Sequence, residues 1–128
     1  MKGTIFLFGA AEKGTPCQPI SLSSLEELLS QLGHPPDESE GISYAIRALL
    51  FQYSLIYFRV AEEGFSYGDY MLGLRWLKKT AIRPRLSAIC LPGIGDEEIV
   101  QRATAECLHH QCLMMISEKD LYDYLTAK

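Results

Sequence analysis

The chain has 128 residues, 48% of them apolar and 22% charged, and a net charge of −4. These values fit one globular domain with a single core, and the scattered Lys and Arg speak against a nucleic-acid or anionic-membrane surface. No apolar run approaches the ~18 residues of a membrane helix. The short run after Lys2 also falls below the ~7–15 residues of a signal core, so Cys17, Cys90, Cys107 and Cys112 are expected as reduced thiols in a cytoplasmic setting.

Thr4 to Phe8 is a continuous apolar run, the pattern of a strand covered on both faces. Gly9-Ala10-Ala11-Glu12-Lys13-Gly14-Thr15-Pro16-Cys17-Gln18-Pro19 follows, and its glycines and prolines exclude a helix or a central strand. Ser23 and Ser24 each have a Glu three positions on, the capping-box spacing. Leu25, Leu28, Leu29 and Leu32 then mark an amphipathic helix closed by Gly33. His34 to Gly41 reads as a polar loop. A second helix follows through Ile42, Ala45, Ile46, Leu49 and Leu50, then a strand over Leu55–Val60.

Glu62-Glu63-Gly64 turns the chain into a third helix marked by Tyr67, Tyr70, Met71, Leu74 and Leu77, with Lys78 and Lys79 at its C-terminus. Leu86–Leu91 reads as the third strand. Asp96 is a suitable N-cap for a fourth helix whose inner face carries Ile99, Val100, Ala103 and Cys107. Cys112–Ile116 is the fourth strand, and Ser117 with Asp120 caps a last helix buried through Leu121, Tyr124 and Leu125. The expected fold is therefore α/β: a single three-layer domain over residues 1–128, with a mostly parallel four-stranded sheet and the order β-α-α-β-α-β-α-β-α.

In such sheets, sites lie beyond the carboxyl ends of the strands. Two loops are the candidate contact or anion sites: Gly9, Glu12, Lys13 and Gly14 after the first strand, and Gly93, Gly95 and Asp96 after the third. The second carries only Gly-x-Gly, and Asp96, Glu97 and Glu98 would repel a phosphate, so a tight turn with an N-cap is the plainer reading. Cys107, His109, His110 and Cys112 are weak metal candidates. They lack the Cys-x₂-Cys or His-x₃-His spacing by which two ligands share a zinc ion, and buried thiols are common in cores. Cys17 and His34 form the one loop pair of nucleophile and base types, with nothing in the sequence to join them. The acidic run Asp37-Glu38-Ser39-Glu40 reads as a solvated loop tip. Tyr44, Tyr53, Tyr57, Phe58 and Phe65 read mostly as core, with some left for an exposed patch. No set of nucleophile, base and oxyanion donors assembles.

Phe6-Leu7-Phe8-Gly9-Ala10-Ala11-Glu12-Lys13-Gly14-Thr15-Pro16 resembles the opening strand and loop of contractile phage-tail sheath proteins. There, too, a hydrophobic strand runs into a Gly-x-Ala-Glu-Lys/Arg-Gly-Pro loop and a Ser/Thr-rich lead to a helix. Ile42 to Phe51, with Tyr44-Ala45-Ile46-Arg47, is similar to the sheath helix carrying Tyr-Ala-Val-Arg. Ile56-Tyr57-Phe58-Arg59-Val60 is similar to its Val-Arg-Val strand, and Leu86 to Gly93 to its Leu-Cys-Ile-Pro-Gly strand and turn. The likeness runs in order along nearly the whole chain.

The resemblance implies a subtilisin-like core domain without proteolysis. Sheath subunits polymerise through extended arms that add strands to neighbours. Those arms, the long insertions and the C-terminal domain have no counterpart here, so a truncated or repurposed sheath domain is expected. It would be a non-enzymatic protein without cofactors that binds protein partners, either itself or a larger assembly, and neither nucleic acid nor membrane. The alternative is a small α/β enzyme or a nucleotide- or anion-binding domain with its site at the strand ends.

Overall fold

The computed structural model describes residues 2–127. The elements run β1 (Thr4–Gly9), β2 (Pro19–Leu22), α1 (Leu25–Leu32), α2 (Gly41–Leu50), β3 (Ser54–Arg59), α3 (Tyr67–Lys79), β4 (Leu86–Cys90), α4 (Glu97–His110), β5 (Leu113–Met115) and α5 (Glu118–Thr126). They form one small α/β domain around a five-stranded sheet of order β2-β3-β1-β4-β5. β1 pairs in parallel with β3 and β4, and β4 with β5, whereas β2 runs antiparallel to β3.

The sheet thus corrects the expected four-stranded parallel one, and the element order gains a strand before the first helix. β2 has four residues and starts on Pro19. Proline has no N–H to donate, so it is confined to the first residue of a strand or to an edge. β2 meets both conditions, and its pairing of Pro19 with Phe58 and Leu22 with Leu55 joins segments far apart in the chain.

β1 is central and buried along its whole length. Strand alternation sends its side chains to two cores. Ile5 and Leu7 pack with Leu28, Leu32, Ile42, Ala45, Leu121 and Leu125, under α1, α2 and α5. Phe6 and Phe8 pack on the other face with Tyr70, Leu74, Leu77, Ile99 and Ala103, under α3 and α4. The second core is aromatic at its centre. The Phe8 ring lies 5.4 Å from Phe58 and 5.0 Å from Tyr70, and Phe6 stacks on Trp76 at 5.7 Å. Gly73 of α3 gives Phe8 its room, because a Cβ there would stand 2.3 Å from Phe8 Cε1.

The helix ends follow the sequence signals. Ser24 Oγ accepts from Glu27 N at 3.2 Å, while the Glu27 carboxylate accepts from the amide and hydroxyl of Ser23. Ser117 and Asp120 complete a capping box. The apolar stripe of α1 is narrower than its spacing suggests. Leu28 and Leu32 are buried, but Leu25 and Leu29 are exposed. Leu50 of α2 is exposed as well, and Tyr44 takes a core place. Among the described residues, no helix is long and apolar enough to cross a membrane.

One buried charge stands out in α4. Glu106 is 4% exposed, and its Oε1 has no hydrogen-bond partner. An unsatisfied buried polar atom costs about 1–3 kcal/mol. Glu106→Leu is therefore expected to raise stability by about 1–2 kcal/mol, read as a higher urea midpoint. A lower midpoint would mean that the carboxylate is satisfied in solution.

Candidate functional site

The parallel strands bring the loops after β1, β3 and β4 to one end of the sheet. Gly9 ends β1 and Gly41 begins α2, and their backbones nearly touch. A Cβ added to either glycine would lie 2.8 Å from the Cα of the other. This approach sets the N-terminus of α2 against Ala10. Glu63, from the loop between β3 and α3, reaches into the junction. Its Oε2 accepts from Ala10 N and Gly41 N, both at 3.0 Å, and its Oε1 accepts from Glu40 N. Tyr57 O–H donates to Ala10 O at 2.7 Å. Amides converging at a helix N-terminus make an anion site, and here the chain's own carboxylate fills it. Glu63 carried no sequence signal beyond its place in a turn.

The rest of the β1 loop seals the C-terminus of α1. Glu12 N and Lys13 N both donate to Leu32 O at 3.1 Å. The Glu12 carboxylate accepts from His34 N at 3.0 Å. Gly14 has a left-handed φ of 107° and offers its carbonyl to the Arg59 guanidinium. Cys17 N donates to Arg59 O, and the Cys17 thiol donates to Asp69 Oδ1 at 3.1 Å. Burial first, then the hydrogen bond and charge of Asp69, push this thiol up to about 11. It is protonated at neutral pH, the reverse of an activated nucleophile. The partner of Cys17 is Asp69, and His34 is held through its amide by Glu12, so the suggested Cys17–His34 pair is not brought together.

The loop before α4 is a turn with a cap. Asp96 Oδ1 accepts from Glu98 N at 2.9 Å and Ile99 N at 3.2 Å, occupying amides that an anion would need. Gly93 adopts φ 77° and lies under Gly64, where a Cβ on Gly64 would stand 2.7 Å from Gly93 O. Gly95 has open space around its Cα. Tyr67 O–H donates to the Glu98 carboxylate, and Gly64 N donates to Tyr70 Oη at 2.7 Å. The β3–α3 loop thus ties the other two together, with Glu63 on the β1 side and Gly64 on the β4 side.

The Cys107, His109, His110 and Cys112 group lies at the far end of α4. The His110 ring nitrogen Nε2 is 2.8 Å from Leu77 O of α3, and Cys107 is buried. Among the described residues, no set of three or more His, Cys, Asp or Glu side chains is placed to hold a metal ion. A depression of about 270 Å³ lies elsewhere, by Thr4, Ser21, Ser54 and Arg83, where β1 and β3 begin. Another of about 360 Å³ runs along β5 and α5.

The buried phenols at the junction give it a pH limit. Burial pushes Tyr70 up to about 12, and burial together with the Glu63 charge raises Tyr57 well above its ordinary value. An unfolded tyrosine ionises near pH ~10. Below that pH both states keep the proton and stability is unaffected. Between about pH 10 and 12 the unfolded state loses it first, so stability falls. Urea midpoints measured across this range are expected to decline, and Tyr70→Phe should flatten part of the decline.

Fold and junction together define a small α/β domain with a mixed sheet whose strand-end loops are laced to one another. No protein-family model, curated protein or solved structure matches the chain.

Proposed function

We propose that this chain is a non-enzymatic interaction domain of the tail-sheath-like kind that its sequence resembles, acting through protein–protein contacts with itself or with a larger assembly. The observation that carries this reading is the engagement of Glu63 with the amides of Ala10, Glu40 and Gly41. The groups best suited to recognise a small anion already serve to join three loops. Asp96 has the same role at α4, and the raised Cys17 thiol offers no nucleophile. Phe65, 78% exposed beside the exposed Tyr67, is apolar surface suited to a contact.

The test pairs two measurements on the full chain. Sedimentation velocity over a wide range of concentrations is expected to show reversible self-association, weakened by Phe65→Ser. Calorimetric titration with inorganic phosphate and with ATP is expected to give no saturable heat. A monomer at every concentration that binds either anion saturably would replace this reading with that of an anion-binding α/β domain.

A further inference from the structure

The end of α4 holds a second feature that the proposed contact role does not use. Helix α4 ends with Gln111 in the left-handed conformation, φ 56° and ψ 50°. Cys112 N then donates back to Cys107 O at 2.9 Å. This is the helix-ending loop in which the side chains at the two ends of that hydrogen bond meet. Both ends are cysteines, and both belong to the core under α3 and α4, Cys107 within it and Cys112 packed against it. Cys107 is buried, whereas Cys112 is half-buried and reachable. Arg85, just before β4, donates from its guanidinium to Gln111 O at 2.7 Å, beside Cys112.

We propose that Cys107 and Cys112 are an oxidisable dithiol, with Cys112 as the thiol that reacts first with a peroxide and Cys107 as the thiol that resolves it into a disulfide. The backbone hydrogen bond supplies the close approach that a disulfide's Cα span of about 4.4–6.8 Å requires. The surroundings divide the roles. The interaction between the two sulfurs, together with the nearby Arg85 charge, holds Cys112 below the ordinary thiol value, while that interaction and burial raise Cys107. A thiolate in an electropositive, partly exposed place is the reactive form. Cys17 has an acidic neighbour, and Cys90 is fully buried and pushed up by desolvation.

The chemistry balances with hydrogen peroxide as the oxidant. The Cys112 thiolate attacks one peroxide oxygen, the O–O bond breaks, and the departing hydroxide takes up a proton to become water. The Cys112 sulfenic acid that remains is attacked by the Cys107 sulfur. The S–O bond breaks, the S–S bond forms, and the hydroxide leaves as water with the proton from Cys107. Two thiols are oxidised and one peroxide is reduced to two waters.

Both cysteines fall in one tryptic peptide, Ala103–Lys119. The reduced full chain would be treated with equimolar hydrogen peroxide, unfolded in iodoacetamide and mapped by mass spectrometry without reductant. The expected result is that this peptide loses the mass of two hydrogens and carries no alkyl group, while Cys17 and Cys90 remain alkylated. Dithiothreitol should restore both labels. Arg85→Gln, at an exposed position, is expected to slow bridge formation several-fold. Full alkylation of Cys107 and Cys112 after peroxide, or sulfinic acid at Cys112 with no bridge, would overturn the proposal. An unchanged rate in the Arg85 variant would overturn the assignment of Cys112 as the first to react.

Discussion

Gly41→Ala is expected to destabilise the domain by about 2–3 kcal/mol, the cost of forcing a methyl into a packed site. The added Cβ would meet Gly9 Cα at 2.8 Å, Tyr57 Oη at 2.4 Å and Glu63 Oε2 at 2.9 Å. A neighbour with a flexible end could swing away, but the Gly9 backbone lies in a fully buried central strand and cannot. The methyl must therefore push α2 off β1 or expel Glu63 from its amides, which loses the hydrogen bonds that join the three loops. Gly68→Ala provides the contrast. Nothing lies within 4 Å of a Cβ there, and the residue sits in α3. Alanine at an unstrained helical position is favoured by roughly 0.5–1 kcal/mol. Urea denaturation of the two variants should move the midpoint in opposite directions. Equal midpoints would show that the Gly9–Gly41 contact is looser than its geometry implies.

Phe8→Ala is expected to cost about 3–5 kcal/mol, a large part of the ~5–15 kcal/mol stability of an ordinary domain. Phe8 is fully buried, with its ring against Phe6, Phe58 and Tyr70 and with Gly73 of α3 shaped to receive it. Its loss opens a cavity that backbone on both sides keeps from collapsing. Gly73→Ala attacks the same contact from the helix side. Because the two positions share one packing contact, their effects should not add. The double variant Phe8→Ala with Gly73→Ala is expected to be more stable than the sum of the single losses predicts, since the new methyl enters the vacated space. Additive losses would show that the two sites are independent.

Most elements were legible in the sequence for local reasons. Ser24, Asp96 and Ser117 cap helices by reaching amides two or three residues away, and such spacing is visible in a linear string. The apolar runs of β1, β3 and β4 are visible in the same way. β2 was not, because a four-residue stretch beginning with proline has no pattern of its own, and only its antiparallel pairing with β3 makes it a strand. The narrow buried stripe of α1 is a similar case, since spacing says which leucines share a face but not how much of that face a neighbour covers.

The candidate site divides along the same line. Chain position after a strand marks the residues of the β1 loop and of Gly93–Asp96, and the structure does bring both loops to one end of the sheet. What joins them, Glu63 and Gly64, lay in an ordinary turn. A carboxylate's role depends on which amides face it, and those of Ala10, Glu40 and Gly41 come from two separate loops.

The sequence by itself determined the class of fold, the positions of the helices and their caps, and the candidate loops, because each rests on interactions within a few residues. The tertiary structure alone decided the mixed sheet, the two glycines in contact across the β1–α2 junction and the filling of the amide nest by Glu63. It also decided the meeting of Cys107 and Cys112 at the end of α4, through the left-handed turn at Gln111. Those features depend on which backbone groups arrive together, and that is set by the packing of the whole sheet.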